Sequence, residues 1–392
     1  MTTVGVFFGG RSVEHEVSVI TALQAISAFP AARLTPVPVY IGKNGAWYTG
    51  EALASIESYR DIGRLTAGAT RVTLRPDPEA RGTLLPLEAR RGLLGGGQRP
   101  AAQLDVALPL VHGTGGEDGT LQGLFELNDL AYCGCVVAAA ALSMDKRLAK
   151  AAFRAAGLTV LDDVLVTRDA WSGGAGTVID GIERVAGYPA YVKPLSLGSS
   201  IGVSRVETRE QLRDAVELAL AYDTRCLAEA AQEDIVEINC AVLGRSDDLR
   251  ASACEQPKSG GLLSYEDKYL SKGGKSGAAT LGAGKAASQR IVPAPLSEAM
   301  TRRVQETAIA AFRAIDAEGV ARVDFLVRGE EIIVNEINTV PGSLAFHLWE
   351  PVGLSLTDVV SRLVELAEER HAAKARTAYS IDTWLLTGRP SA

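Results

Sequence analysis

"ARVDFLVRGEEIIVNEINTVPG", Ala321–Gly342, reads as two strands around a tight turn, and its two faces differ in character. Side chains two apart on a strand share a face. Val323, Phe325, Val327, Ile333 and Ile337 make an apolar face, while Arg322, Asp324, Glu336 and Asn338 are polar positions in an otherwise buried pattern. With Gly329, Glu330 and Glu331 as a three-residue loop, Asp324 stands opposite Glu336 and Arg322 opposite Asn338. Like charges directly opposite each other on a sheet are unfavourable, so the facing carboxylates imply a cation that needs them. Asp324, Glu336 and Asn338 are hard oxygen ligands of the kind Mg²⁺ takes. Arg322 beside them can steady an oxygen that becomes negative during a reaction. A purely structural ion-pair network is the other account of the same residues.

Around this hairpin the chain has an ordinary globular composition. At 392 residues it is long enough for two or three domains, and 47% hydrophobic with 22% charged residues is a normal core-to-surface balance. A formal charge of -7, without a dense basic run, gives no electrostatic reason to expect nucleic acid or an acidic membrane as partner. Five scattered cysteines, including the "YCGC" pair Cys133 and Cys135, lack redox or zinc spacing and read as small buried residues in a reducing compartment. The N-terminus turns polar too soon for a signal peptide and no apolar run reaches ~18 residues, so a cytoplasmic enzyme without a membrane span is expected.

The opening "TVGVFFGG", the helical "SVEHEVSVITALQAISAF" and "TPVPVYI" give a strand, helix, strand order that predicts a parallel sheet. Residues 50–103 are turn-rich and read as a hairpin and loops added to that unit. "ALSMDKRLAKAAFRAAG" starts a second unit, with Ser143 as the expected cap of a helix that ends at Gly157 and carries Lys146 in its first turn. A third unit holds "CLAEAAQEDIVEINCAVLG", a polar glycine-rich insert near 256–290, the hairpin, and a last helix, "SLTDVVSRLVELAEER".

Three further segments carry chemistry. "VKPLSLGSSIGVSRV", Val192–Val206, has Lys193 at its base and Gly198, Ser199, Ser200 and Gly202 at its tip, where backbone N–H groups and hydroxyls can converge on an anion. "HGTGGEDGTLQG", His112–Gly123, crowds glycines and acids after a buried strand, where ligands gather in open α/β sheets. "GGRSVEHEV" sets Glu14, His15 and Glu16 at the mouth of the first helix, where a carboxylate can hold an ammonium or complement the helix dipole. Each alone also has a plain structural account: a hairpin turn, a capped loop, a dipole partner. Four histidines and no G-x-S-x-G elbow make nucleophile–His–acid hydrolysis a poor fit. Phosphate-reaching lysines and a metal hairpin together point to ATP-driven chemistry.

In this order, "FFGGRSVEHEVSV", "HGTGGEDGTLQG", "ALSMDK", "VKPLSLGSSIGV", "ARVDF" and "NEINTVPGS" resemble the D-alanine–D-alanine ligase family of the ATP-grasp superfamily, over roughly residues 3–370. The resemblance implies an α/β, three-domain ATP-grasp fold with a parallel-sheet N-terminal domain. The expected boundaries are an N-terminal domain over 1–140, a central domain over 141–228, a C-terminal domain over 229–371 and a tail over 372–392. It further implies that Glu16 holds the ammonium of the first D-alanine with His112 nearby, and that Ser199 and Tyr269 join Glu16 in a hydrogen-bonded group. Lys146, Lys193, Ser200 and Lys268 would serve the ATP phosphates and their loops, Glu229 the adenine amino group and Glu237 the ribose. Arg322 and the backbone of Gly342 would stabilise the tetrahedral intermediate. Asp324, Glu336 and Asn338 would bind two Mg²⁺ ions, which Mn²⁺ could replace.

Small-molecule substrates and a homodimer are likewise what the resemblance implies, with peptidoglycan precursors as the product's destination. Tyr269, in "YEDKYLSKGG", resembles the dipeptide-forming members. His347 and Leu348, in "PGSLAFHLWE", stand where the second substrate's carboxylate docks and where many members carry a serine. A ligase with another second substrate, such as D-serine or D-lactate, is therefore the alternative, and a non-turning-over nucleotide-binding regulator is the other.

Overall fold

A computed structural model describes residues 1–88, 99–258, 290–379 and 381. Three sheets divide the chain. In the first, β1 (Thr2–Gly9) pairs in parallel with β2 (Leu34–Ile41), and α1 (His15–Ser27) makes the crossover between them. An antiparallel run, β3 (Trp47–Thr49), β4 (Thr70–Leu74), β5 (Thr83–Pro86) and β6 (Ala102–Gln103), extends one side. On the other side β7 (Val106–Pro109) pairs in parallel with β1, and α2 (Thr120–Asn128) leads to β8 (Ala131–Tyr132). The turn-rich stretch from 50 to 103 thus lengthens the same sheet.

Two helices follow. α3 (Val137–Met144) contains Ser143, whose hydroxyl donates back to the Ala140 carbonyl at 2.8 Å, as serines do inside helices. The expected Ser143 cap is therefore incorrect. Asp145 caps α4 (Lys146–Ala155), accepting from the amides of Arg147 and Leu148 at 3.1 and 3.0 Å. Gly157, at φ +77°, then turns the chain as expected.

The second sheet is antiparallel: β9 (Asp163–Thr167), then α5 (Arg168–Val185), β10 (Ala190–Pro194), β11 (Ser204–Val206), α6 (Arg209–Tyr222) and β12 (Arg225–Ala230), in spatial order β11-β10-β12-β9. The expected boundary after residue 228 falls inside β12, whose Glu229 and Ala230 still pair with β10. The third sheet runs β15-β14-β13-β16-β17, from β13 (Val236–Arg245), β14 (Asp248–Pro257), β15 (Arg290–Ile291), β16 (Gly319–Arg328) and β17 (Glu331–Asn338). α7 (Glu298–Ala314) packs on it, and α8 (Leu356–Lys374) closes the described fold behind a Ser355–Asp358 capping box.

The cores show which parts pack together. Val4, Val6 and Phe8 of the first sheet share a core with Leu348, Trp349, Leu363 and Val364. Ala149 and Phe153 of α4 pack instead with Val304, Phe312 and Val323. The second sheet keeps a core of its own, with Ile179, Val192, Leu212 and Val216. Among the described residues no helix is long and apolar enough to cross a membrane.

Candidate active site

The hairpin forms in the expected register at its functional end. Asp324 is paired with Glu336 and Arg322 with Asn338. The turn is shorter than expected: Arg328 pairs directly with Glu331, leaving Gly329 and Glu330 as a two-residue loop, with Gly329 at φ +57°. A bulge between Asp324 and Phe325 restores the register and leaves Asn335 as the extra residue. That bulge turns Asn335 into the cleft, where its amide oxygen lies 3.5 Å from the Lys193 ammonium.

Two adjoining cavities of about 210 and 290 Å³ meet at this hairpin. Gly198, Ser200, Glu237, Asn335 and Glu336 line both. The first also takes in Glu14, His112, Glu117, Ser199, Arg322, Asp324, Asn338, Gly342 and His347. The second takes in Lys146, Lys193 and Glu229. Segments far apart in the chain thus face one continuous space.

Glu16 is not among them. Its side chain is 58% exposed and pairs with Lys43 at 2.5 Å, because two residues along a helix turn through about 200°. Glu14, just before α1, is the carboxylate in the cleft. Ser199 donates to it from the glycine loop of the second sheet. The space around it is cut to fit: a Cβ at Gly113 would lie 2.7 Å from the Glu14 carboxylate, and one at Gly198 would lie 3.0 Å away. Ser199 and Ser200 hold left-handed φ of 52° and 57°, an uncommon state for serine that concentrates at functional loops.

His112 and Glu117 are both buried. Thr21 Oγ1 lies 3.0 Å from His112 Nε2 and accepts from the Ser343 amide at 3.0 Å. Burial, helped by Arg322, pushes the His112 imidazole down to about 4, so it stays neutral. Glu117 accepts from the amides of Gly113 at 2.8 Å and Val340 at 2.9 Å. It thereby ties the glycine-rich loop to the strand leading into Gly342. Burial, then the Glu14 charge, push the Glu117 carboxyl up to about 8. Asp118 has the structural role open to it in the sequence, accepting from the Gly115 and Thr120 amides.

After Gly342 three non-glycine residues, Ser343, Leu344 and Ala345, all sit at φ +53°. This geometry costs roughly 1–2 kcal/mol per residue. Burial of Leu344 and Ala345 in the shared core holds it in place. The turn brings His347 to the cavity but sends Leu348 into the core at 0% exposure, so Leu348 offers its side chain to packing and not to substrate.

On the nucleotide side Lys146 donates to the Leu197 carbonyl at 2.6 Å, holding the glycine loop from below. Burial pushes its ammonium down while Glu336 opposes the shift. Glu229 is flanked by Lys193 and, at 2.5 Å, by Lys150, all three buried. Burial works against its charge, but the two lysines outweigh it and bring the carboxyl down to about 2. Lys150 was legible only as the residue four after Lys146, on the same helix face. Lys268 and Tyr269 lie outside the described residues.

Among the described residues no cluster of three or more His, Cys, Asp or Glu side chains could hold a metal ion. The hairpin offers instead two carboxylates and an amide, which suits an ion that takes its other ligands from phosphates and water. Arg322 grips Asp324 through two bonds of 2.6 and 2.7 Å, and Asn338 Nδ2 lies 3.1 Å from it. The donor chemistry fits Mg²⁺.

Fold and site together define an ATP-grasp ligase. The family model described as D-ala D-ala ligase N-terminus matches residues 3–135, and that described as D-ala D-ala ligase C-terminus matches 152–365. A D-alanine--D-alanine ligase of Thermosipho melanesiensis is 33% identical over 98% of both chains. The D-alanine-D-alanine ligase structure from Coxiella burnetii matches at a TM-score of 0.75 and 30% identity, covering 96% of each chain. The VanG D-Ala:D-Ser ligase structure from Enterococcus faecalis matches at 0.76 and 28%, covering 93% of this chain and 99% of that one. The chain belongs to the D-alanine–D-alanine ligase family.

Proposed function

We propose that the chain joins two D-alanines into D-alanyl-D-alanine at the expense of ATP, for cell-wall precursor synthesis. The observation that carries this is the single cleft in which Glu14 and Ser199 face Arg322, Asp324 and Glu336, continuing into the space between Lys146, Lys193 and Glu229. Glu14 would hold the ammonium of the first D-alanine. The carboxylate oxygen of that first D-alanine, not of Glu14, attacks the γ-phosphorus, the bond to the β-phosphate oxygen breaks, and ADP leaves the acyl phosphate behind. The amine of the second D-alanine, having lost a proton, then attacks the acyl carbon, and phosphate departs with the C–O bond electrons.

Asp324, Glu336 and Asn338 would hold Mg²⁺, or Mn²⁺ in its place, which when bound neutralises phosphate charge. Lys146 and Lys193 would hold the phosphates, Glu229 and Glu237 the nucleoside. Arg322 and the Gly342 amide would receive the developing oxyanion. Such chemistry depends on position and charge more than on any nucleophilic side chain, consistent with a cleft of lysines, arginines and carboxylates.

ADP release with ATP, Mg²⁺ and D-alanine, with the product identified by mass, tests the reading. A dipeptide of two alanines is expected. His347 in the cavity wall favours a second reading, in which D-serine or another acceptor replaces the second D-alanine; ADP release only with that acceptor would establish it. ATP binding with no ADP under any of these conditions would mark a regulator.

A further inference from the structure

Thr21 is buried on α1, and its hydroxyl meets two segments of the cleft at once. It accepts from the Ser343 amide at 3.0 Å and lies 3.0 Å from His112 Nε2. Ser343 opens the left-handed turn after Gly342. His112 lines the first cavity, and its neighbour Gly113 abuts the Glu14 carboxylate.

The direction of these hydrogen bonds follows from their protons. A backbone amide only donates, and a threonine hydroxyl has a single proton to give. The Ser343 amide occupies acceptor capacity on Thr21 Oγ1 and leaves that proton to be placed. Threonines inside helices commonly return it to the carbonyl one turn back, as Thr66 and Thr307 do at 2.9 and 2.7 Å. Thr21 is turned the other way: among the described residues, the acceptor its hydroxyl reaches is His112 Nε2. A hydroxyl proton buried without an acceptor is costly, so Nε2 carries a lone pair. This agrees with an imidazole that burial, helped by Arg322, keeps neutral. A neutral imidazole has one N–H. The proton therefore sits on Nδ1, at the ring edge turned away from α1.

We propose that Thr21 is a positioning residue whose hydroxyl locks His112 in the Nδ1–H tautomer, so that the ring presents a fixed N–H to the carboxyl group of the donor amino acid. The same oxygen anchors the Ser343 amide, and with it the turn that carries the Gly342 amide. One hydroxyl thus orients two hydrogen-bond donors of the cleft. The substrate contact rests on the ligase reading; the tautomer does not.

NMR of the protein with ¹⁵N-labelled imidazoles, near neutral pH, reads the tautomer directly, the His112 signals being assigned by their loss in His112→Asn. Wild type and Thr21→Ser should show a protonated Nδ1 and an unprotonated Nε2, and Thr21→Val should lose that preference. A protonated Nε2 in wild type would overturn the proposal, whether or not any variant folds. Steady-state kinetics that resolve the donor and acceptor KM supply the second arm. Thr21→Val should raise the donor KM about tenfold, the scale of misdirecting one hydrogen bond to a charged group, with the KM for ATP within about twofold of wild type. Thr21→Ser should restore most of the loss, because it keeps the hydroxyl. A serine variant as impaired as the valine one, a valine variant with the wild-type donor KM, or all three KM values rising together would overturn the positioning role. No ADP release by wild type with any amino acid would overturn the ligase reading and the substrate contact, while the tautomer is decided by its own spectrum.

Discussion

Glu14 and Glu16 are two residues apart and chemically identical, yet only one of them faces the cleft. Glu14→Gln should lower turnover by about 10- to 100-fold, the scale of losing a charge-assisted hydrogen bond. Glu16→Gln removes only an exposed pair with Lys43 and should leave turnover within about twofold. Equal effects on ADP release would count against the Glu14 role. His112 provides a test in stability rather than rate. Its folded-state imidazole lies near 4 against an ordinary value of 6.5, so the neutral form stabilises the fold fully above pH 6.5. That contribution, about 3 kcal/mol, is lost as pH falls from 6.5 through 4. Glu117 acts in the opposite sense: its raised carboxyl favours the fold at low pH, and the benefit fades as pH rises from 4.5 through about 8. His112→Asn should flatten the loss of urea-unfolding free energy between pH 6.5 and 4, and an unchanged slope would refute the burial account.

At the scale of elements, the hairpin and α4 each bring charge to the cleft by periodicity. Glu336 projects from β17 opposite Asp324 and is not part of the apolar face. Glu336→Ala should cut turnover roughly 100-fold or more, through lost metal and phosphate charge stabilisation, while unfolding free energy moves by about 1 kcal/mol or less. Wild-type ADP release by that variant would remove the metal assignment. Lys150, one turn after Lys146 on α4, differs in being wholly inside. It sits 2.5 Å from Glu229 and 3.6 Å from Asp163, with both carboxylates buried. Lys150→Met leaves those charges short of a partner and should cost roughly 3–5 kcal/mol. It should also raise the KM for ATP through a displaced Glu229. A chemical-denaturation curve unchanged from wild type would show that the network contributes nothing net.

At the scale of the molecule, the first and third sheets are bound together and the second stands apart. Besides their common core, Arg370 of α8 lies 4.2 Å from the Tyr132 ring centre and donates to the Gly134 carbonyl at 2.8 Å, and Arg33 pairs with Glu365. The second sheet has its own core and meets the others largely through polar contacts around Glu14, Glu229 and Asn335. In hydrogen exchange, β9–β12 with α5 and α6 should therefore open as a unit below the free energy that opens the rest. ATP with Mg²⁺ should slow exchange most in β10 and β12, because Lys193 and Glu229 of those strands line the proposed nucleotide space. Uniform exchange across all three sheets, unaffected by nucleotide, would argue against a separate lobe.

Much of this was legible in the chain. Period-two alternation around Asp324 and Glu336 was enough to pair them, and glycine clusters after buried strands marked the loops that line the cleft, since both signals act over a few residues. The two-residue turn with its compensating bulge was not legible, because a three-residue loop and a two-residue loop followed by one bulge give the same pairing at Asp324. Choosing Glu14 over Glu16 needed the direction of α1 relative to the loop at Ser199, which lies 185 residues away. Ser143 against Asp145 turned on where α3 ends, a matter of packing on Ala140 and the third sheet. The meeting of Thr21 with His112 and Ser343 carries no local signature at all. Local spacing determines which side chains share a strand or helix face, so the family, the parallel opening and the carboxylate pair were written in the sequence by itself. Which faces then meet across lobes depends on how the separate cores are buried, and that only the tertiary structure decides.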